Sequence, residues 1–210
     1  VEERLERYLR ELFAVEDAAL VAIRERQSAA NLPAINVSAE EGRLLAVLLA
    51  AVQARRVLEL GALGGYSGVW MARALPPGGR LTTVEFDAHH AEVARQAYRT
   101  ASVADRVELI QGSALDVLPT LTPGFDAVFI DADKAPMAKY FEWGVRLLRV
   151  GGLLLGDNAF HDGKVADPAV SAPDTEGVRA FNRLAATDPR VTATVIPIRD
   201  GLLVGVKVRD

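Results

Sequence analysis

Apolar positions early in the chain recur at helical spacing, and from residue 57 onward they gather into short continuous runs. Leu5, Leu9, Leu12, Leu20 and Ile23 stand among many charges between residues 3 and 30, the stripe of one or two amphipathic helices ahead of the core. Ser38 with Glu41 three residues later forms a capping box, which starts an apolar helical run to Val52. Strand-like runs then alternate with helical stretches: Val57 to Leu60, Leu81 to Glu85, Val107 to Ile110, Ala127 to Ile130 and Leu153 to Leu155. Such alternation predicts a parallel sheet covered by helices on both faces. The end breaks the pattern, because Val191 to Ile196 and Leu202 to Val208 are separated by residues 197–201 alone, too few for a helical crossover. An antiparallel hairpin is expected there. The chain reads as α/β, a mostly parallel seven-stranded sheet ending in an antiparallel hairpin. No repeat or linker divides it, so residues 1–210 are expected to form a single domain with residues 1–55 as a helical cap or dimerisation segment.

Composition narrows the possible functions. Half the residues are hydrophobic and 25% are charged, an ordinary soluble composition that can bury a sizeable core. The absence of cysteine excludes disulfides, thiolate metal sites and a cysteine nucleophile, which leaves carboxylates, amides and three histidines for any metal. A net charge of −4 without a dense basic patch argues against nucleic acid. The N-terminus is too charged for a signal peptide, and no apolar run approaches the roughly 20 residues of a membrane helix. A cytoplasmic protein with no membrane or nucleic-acid partner is expected.

The chemistry-bearing stretch is Arg56 to Ser67, where an apolar strand runs through Glu59 into a turn containing Gly61, Gly64 and Gly65. Glycines permit a turn tight enough for backbone N–H groups to approach a ligand, and the following helix offers its positive N-terminal end. A second acid, Glu85, closes the next strand, where a nucleoside ribose would present its hydroxyls. Two acids and a glycine turn suit an adenosine better than a pyrophosphate.

Asp131 ends one predicted strand, and Asp157-Asn158 follows the next. Neighbouring strands lie about 4.8 Å apart, so if these two are adjacent their oxygens can converge on a hard cation such as Mg²⁺ and leave positions for water and a chelating substrate. Lys134 is three residues past Asp131, on the same side of a turn. An amine beside a dication is biased toward its neutral form and can take a proton from a phenol.

In combination these motifs resemble those of cation-dependent O-methyltransferases that use S-adenosylmethionine, the family containing caffeoyl-CoA and catechol O-methyltransferases. The resemblance runs from about Ile35 to the C-terminus, through Val57-Leu-Glu-Leu-Gly-Ala, Gly65-Tyr66-Ser67, Glu85, Gly112-Ser113-Ala114, Asp131-Ala-Asp133-Lys134 and Asp157-Asn158. It implies a Rossmann-like class I methyltransferase fold, in which a terminal hairpin is usual, and a homodimer. It also implies that S-adenosylmethionine donates a methyl group to a vicinal diol of a catechol-type acceptor, assisted by Mg²⁺, Mn²⁺ or Ca²⁺. Glu59, Gly61, Ala62 and Ser67, with Gly65 and Tyr66 of the same turn, would line the methionine side of the donor and Val37 would close over it. Glu85 would hold the ribose and Ala114 the adenine edge. Asp131 and Asp133 would stand near the donor amine, Asp131, Asp157 and Asn158 would be the metal ligands, and Lys134, supported by Asp131, the catalytic base. Val37 and Glu85 match the catechol enzyme, whereas the plant type has threonine and aspartate there. His161 and Asp162 replace a tryptophan and an asparagine of the plant type, so a different acceptor pocket is expected. Residues 159–175 carry few basic groups for a CoA phosphate tail, which favours free catechols.

Blander readings stand beside these. Glu59 could cap a helix, Asp157-Asn158 is a common turn pair, and His161 is more often a surface residue than an acceptor contact. His89 and His90 open a helix without assigned chemistry, and Trp70 and Trp143 read as core or interface. Two rival functions remain: an NAD(P)-dependent dehydrogenase, suggested by the glycine turn and Glu85, and a non-catalytic cofactor-binding protein. The hairpin and the Asp131, Asp157, Asn158 set count against the first.

Overall fold

The computed structural model of the chain describes residues 3–210, so the first two residues of the expected N-terminal segment lie outside it. Its α-helices are α1 (Glu3–Phe13), α2 (Ala18–Ala29), α3 (Ala39–Ala51), α4 (Tyr66–Ala74), α5 (Ala88–Thr100), α6 (Ala114–Val117), α7 (Met137–Leu147) and α8 (Pro173–Thr187). The strands are β1 (Arg56–Leu60), β2 (Arg80–Glu85), β3 (Val107–Gln111), β4 (Phe125–Ile130), β5 (Leu148–Gly156), β6 (Val191–Ile196) and β7 (Leu202–Lys207). They form a seven-stranded sheet in the order β3-β2-β1-β4-β5-β7-β6. β1–β4, β2–β3 and β4–β5 pair in parallel, and β7 pairs antiparallel with β5 and with β6, the second pairing as the short connection at residues 197–201 requires.

Caps set the helix starts. Asp17 accepts a hydrogen bond from the Leu20 N–H at 3.0 Å and Ser38 from the Glu41 N–H at 3.1 Å, each satisfying a donor that the first turn leaves orphaned. The expected stripe in the N-terminal segment divides: Leu20 and Ile23 on α2 are buried, but Leu5, Leu9 and Leu12 on α1 are exposed. β5 starts five positions ahead of its predicted apolar run. Leu148 pairs with Phe125, and a register shift, with Gly151 at φ +80°, carries the strand across Arg149 to Gly152. A bulge of this kind hides a strand from pattern reading, since its residues do not alternate.

Two compact units make up the chain. The first, residues up to Arg55 with Ala62–Gln111, contains α1–α5, β2 and β3 and buries Leu45, Leu49, Met71 and Leu81. The second, Arg56–Gly61 with Gly112–Asp210, contains β1, β4, β5, β7 and β6 with α6–α8. Its core includes Leu58, Leu60, Phe129 and an edge-to-face pair, Phe141 of α7 and Phe181 of α8, whose ring centroids are 6.1 Å apart. No helix among the described residues is long and apolar enough to cross a membrane.

Candidate active site

Strand order reverses between β1 and β4, both in the second unit. Open α/β sheets bind ligands beyond the carboxyl ends of the strands at such a switch point. Here the ends interlock through the backbone: Asp131 N–H donates to Leu60 C=O at 2.9 Å, and Asp157 N–H to Ile130 C=O at 3.0 Å. Because Ile130 pairs with Gly156, Asp131 and Asp157 occupy the next position on two neighbouring parallel strands, the adjacency that their sequence positions left as a condition. Asp157 is 4% exposed, and its Oδ1 accepts the Asn158 N–H at 2.7 Å. Asn158 sits in the left-handed region at φ +60°, which asparagine tolerates. Lys134 Nζ donates to Asp131 Oδ1 at 3.1 Å, a cation opposite one of two adjacent acids.

Glu59 is completely buried near the end of β1. Gly61 follows at φ +93°, and a Cβ placed there would lie 2.1 Å from the Asp131 carbonyl oxygen. Both facts demand glycine. Gly61→Ala should therefore lose at least about 1–3 kcal/mol from backbone strain alone, lowering the denaturant midpoint; an unchanged midpoint would show that the turn is not this tightly packed. Asp133, two residues past Asp131, is exposed, and its Oδ1 accepts the Tyr140 hydroxyl at 2.5 Å. Burial, then the adjacent Asp133 carboxylate, pushes the Tyr140 phenol well above the usual tyrosine range, so it stays a donor that orients Asp133. Ala114, in the same unit, is buried as the first residue of α6.

In the first unit Glu85 organises the glycine turn. Its Oε2 accepts the N–H groups of Ala62 at 3.1 Å and Leu63 at 2.8 Å, and its Oε1 accepts Asp87 N–H at 2.9 Å. Two of the turn's N–H groups thus meet a carboxylate rather than standing open. Gly65 caps α4 at φ +84°, while Gly64 has a different reason to be glycine: a Cβ there would meet Gln27 Nε2 at 2.2 Å. Gln27 is 2% exposed and its Oε1 accepts Asn36 Nδ2, the residue before buried Val37. The Tyr66 side chain is directed to Glu16, its hydroxyl donating at 2.8 Å, and burial together with that carboxylate pushes its phenol up to about 12. Only its backbone remains to meet a ligand. Ser67 is buried beside it in the first turn of α4.

Sequence reading passed over Tyr140, Gln27 and Phe86, the last an aromatic three-quarters exposed directly after Glu85. An aromatic directly after a candidate ribose acid was a signal available in the sequence, though its exposure was not; the partners of Tyr140 and Gln27 left none. His161 Nδ1 lies 3.2 Å from Thr175 Oγ1, and His90 Nδ1 lies 3.8 Å from Glu85 Oε1. Trp70 packs on Gly42 under the Arg43 guanidinium, a core position, while half-buried Trp143 lines a surface hollow with Glu142, Arg146 and Arg190.

Among the described residues no three His, Cys, Asp or Glu side chains are grouped to hold a metal ion. Asp131 and Asp157 are only two such groups, and the third candidate donor, Asn158, is an amide. Their oxygen-only chemistry suits a hard cation that keeps part of its water.

A parallel sheet with a terminal hairpin and acids gathered at its switch point defines a Rossmann-like α/β protein of methyltransferase type. The chain belongs to the O-methyltransferase family, whose model matches residues 10–208. It is 42% identical over 212 residues to a catechol O-methyltransferase of Niastella koreensis, covering 99% of this chain and 94% of that protein. A catechol O-methyltransferase of Mycobacterium tuberculosis is 46% identical over 182 residues, 86% of this chain and 82% of that protein. The crystal structure of an O-methyltransferase from Streptomyces achromogenes, in complex with SAM, matches with a TM-score of 0.92 at 40% identity over 98% of this chain and 96% of that one. The expected fold and enzyme class are borne out, and the dehydrogenase reading falls.

Proposed function

We propose that the protein transfers a methyl group from S-adenosylmethionine to a phenolic hydroxyl of a catechol-type small molecule, with a divalent cation held by Asp131, Asp157 and Asn158. The observation that carries this reading is the side-by-side placement of Asp131 and Asp157 on adjacent strands with Lys134 Nζ 3.1 Å from Asp131. The relatives named as catechol O-methyltransferases and the SAM-bound structural neighbour support acceptor and donor respectively.

A cation held there would supply positive charge that eases ionisation of a coordinated phenol. Lys134 Nζ takes the proton from the acceptor hydroxyl, and Asp131 orients that amine through their hydrogen bond. Glu59, Gly61, Ala62, Gly65, Ser67 and the Tyr66 backbone hold the methionine end of the donor, and Val37 closes over it. Glu85 accepts from the ribose hydroxyls, Ala114 borders the adenine, and Asp133, aimed by Tyr140, accepts from the donor amine together with Asp131. The phenolate oxygen then bonds to the methyl carbon as the carbon–sulfur bond breaks, leaving a neutral thioether. Alignment supplies much of the rate, since the sulfonium is already reactive. In this reading residues 1–210 act as one methyltransferase domain, cytoplasmic and homodimeric, with α1 in the pairing segment.

Methyl transfer from S-adenosylmethionine to a panel of catechols and mono-hydroxy analogues, with Mg²⁺ and again with EDTA, tests the proposal. Turnover confined to vicinal diols and abolished by EDTA is expected. Donor binding without EDTA-sensitive turnover on any diol would sink it.

A further inference from the structure

Residues 159–170, which lead away from Asp157 and Asn158, have little core of their own: Ala159 alone among them is buried. Hydrogen bonds must therefore set their path. Ala159 and Phe160 N–H groups bond to the Gly201 and Asp200 carbonyls at 2.8 Å each. The rest is gripped from α8 by Thr175, Arg179 and Asn182, spaced i, i+4, i+7 on one helix face. Asn182 Nδ2 donates to Ala159 C=O at 2.7 Å, and Thr175 Oγ1 lies 3.2 Å from His161 Nδ1. Arg179 dominates. Its Nε donates to Val165 C=O at 3.0 Å, Nη1 to Val170 C=O at 2.6 Å, and Nη2 to Lys164 C=O at 2.9 Å and also to Asp167 C=O. Glu176 Oε1 balances the charge at 2.5 Å from Nη1.

Four carbonyls within seven residues converge on one guanidinium. Such convergence needs a planar fork with five fixed N–H donors, which no other side chain offers. These carbonyls belong to a largely exposed segment and could be hydrated instead, so chain solubility does not require the arrangement. What it achieves is a single path for the segment that follows Asp157 and Asn158, the residues that would hold the cation and its chelated acceptor. None of the donor-holding positions lies in this segment.

We infer that Arg179 is a positioning residue for the methyl acceptor, acting through residues 159–170 without touching the acceptor itself. The inference rests on the catechol reading of the site above. Arg179→Lys keeps the charge and most of the length but cannot span the carbonyls, and Arg179→Gln removes the charge as well.

The test measures steady-state kinetics on a catechol with Mg²⁺, S-adenosylmethionine affinity by calorimetry, and backbone hydrogen exchange of residues 159–170 in the wild-type chain and both variants. Expected in both variants are a rise in acceptor KM of about tenfold, kcat and donor Kd within about threefold, and faster exchange confined to residues 159–170. Acceptor KM unchanged in Arg179→Lys, or donor affinity falling in step with KM, overturns the inference, the second by showing a merely structural role. Should Arg179→Gln fail to fold, Arg179→Lys decides alone. A wild-type enzyme inactive on every diol overturns the acceptor reading, and this inference with it, whereas an active wild type with unaffected variants overturns the inference only.

Discussion

Lys134→Met is expected to lower methyl-transfer turnover by roughly 10²–10⁴-fold, the usual weight of a general base, while S-adenosylmethionine still binds. The amine sits 3.1 Å from Asp131 Oδ1 and its side chain is only 16% exposed, so water cannot readily take over its task. Its backbone is fixed from the other side as well: a Cβ on Gly177 of α8 would lie 2.0 Å from the Lys134 carbonyl oxygen. Lys134→Arg separates the two roles of the residue. A guanidinium preserves the positive charge facing Asp131 but does not give up a proton at accessible pH. Both variants should be equally impaired in kcat, with donor affinity by calorimetry near the wild-type value. A fully active Lys134→Arg would assign the residue to charge balance instead of proton transfer.

Asp157→Asn should cost the enzyme its response to divalent cations. The substitution is nearly isosteric, and the amide oxygen can still accept the Asn158 N–H that the carboxylate holds at 2.7 Å, so the turn should survive. What disappears is one of two negative charges at neighbouring strand ends. Metal affinity should fall by more than the roughly 10–100-fold lost on altering a group that only supports a ligand, read as the Mg²⁺ concentration giving half-maximal turnover. Thermal midpoints provide an assay that needs no acceptor. Added Mg²⁺ should raise the wild-type midpoint by mass action and leave that of the variant unmoved. Without metal the variant should be at least as stable as the wild type, because two adjacent like charges have become one. A wild-type midpoint indifferent to Mg²⁺, or a variant with an unaltered metal response, would remove Asp157 from the metal site.

Much of this was readable from residue order because it depends on neighbours in the chain. Strand ends at Leu60, Glu85 and Ile130, the Ser38 cap, and the β6–β7 hairpin follow from side-chain periodicity and from how few residues separate two runs. β5 was legible only in its second half, since a bulge at Gly151 and Gly152 carries no alternation.

The candidate chemistry divides along the same line. The residue types at Asp131, Lys134, Asp157 and Asn158 and their places after strands were evident from order alone, and so was the need for glycine somewhere in the turn. That Asp131 and Asp157 stand on adjacent strands in matching register was settled by strand order, which the linear pattern leaves open because pairing depends on how crossovers pack. Folding alone could show that Glu85 grips the glycine turn, that Gly64 yields to Gln27, that Tyr140 aims Asp133, and that Arg179 gathers the carbonyls of residues 164–170. Each is a contact between residues remote in sequence or governed by rotamer choice. Periodicity records which face of an element is buried, but not which side chain it will meet there.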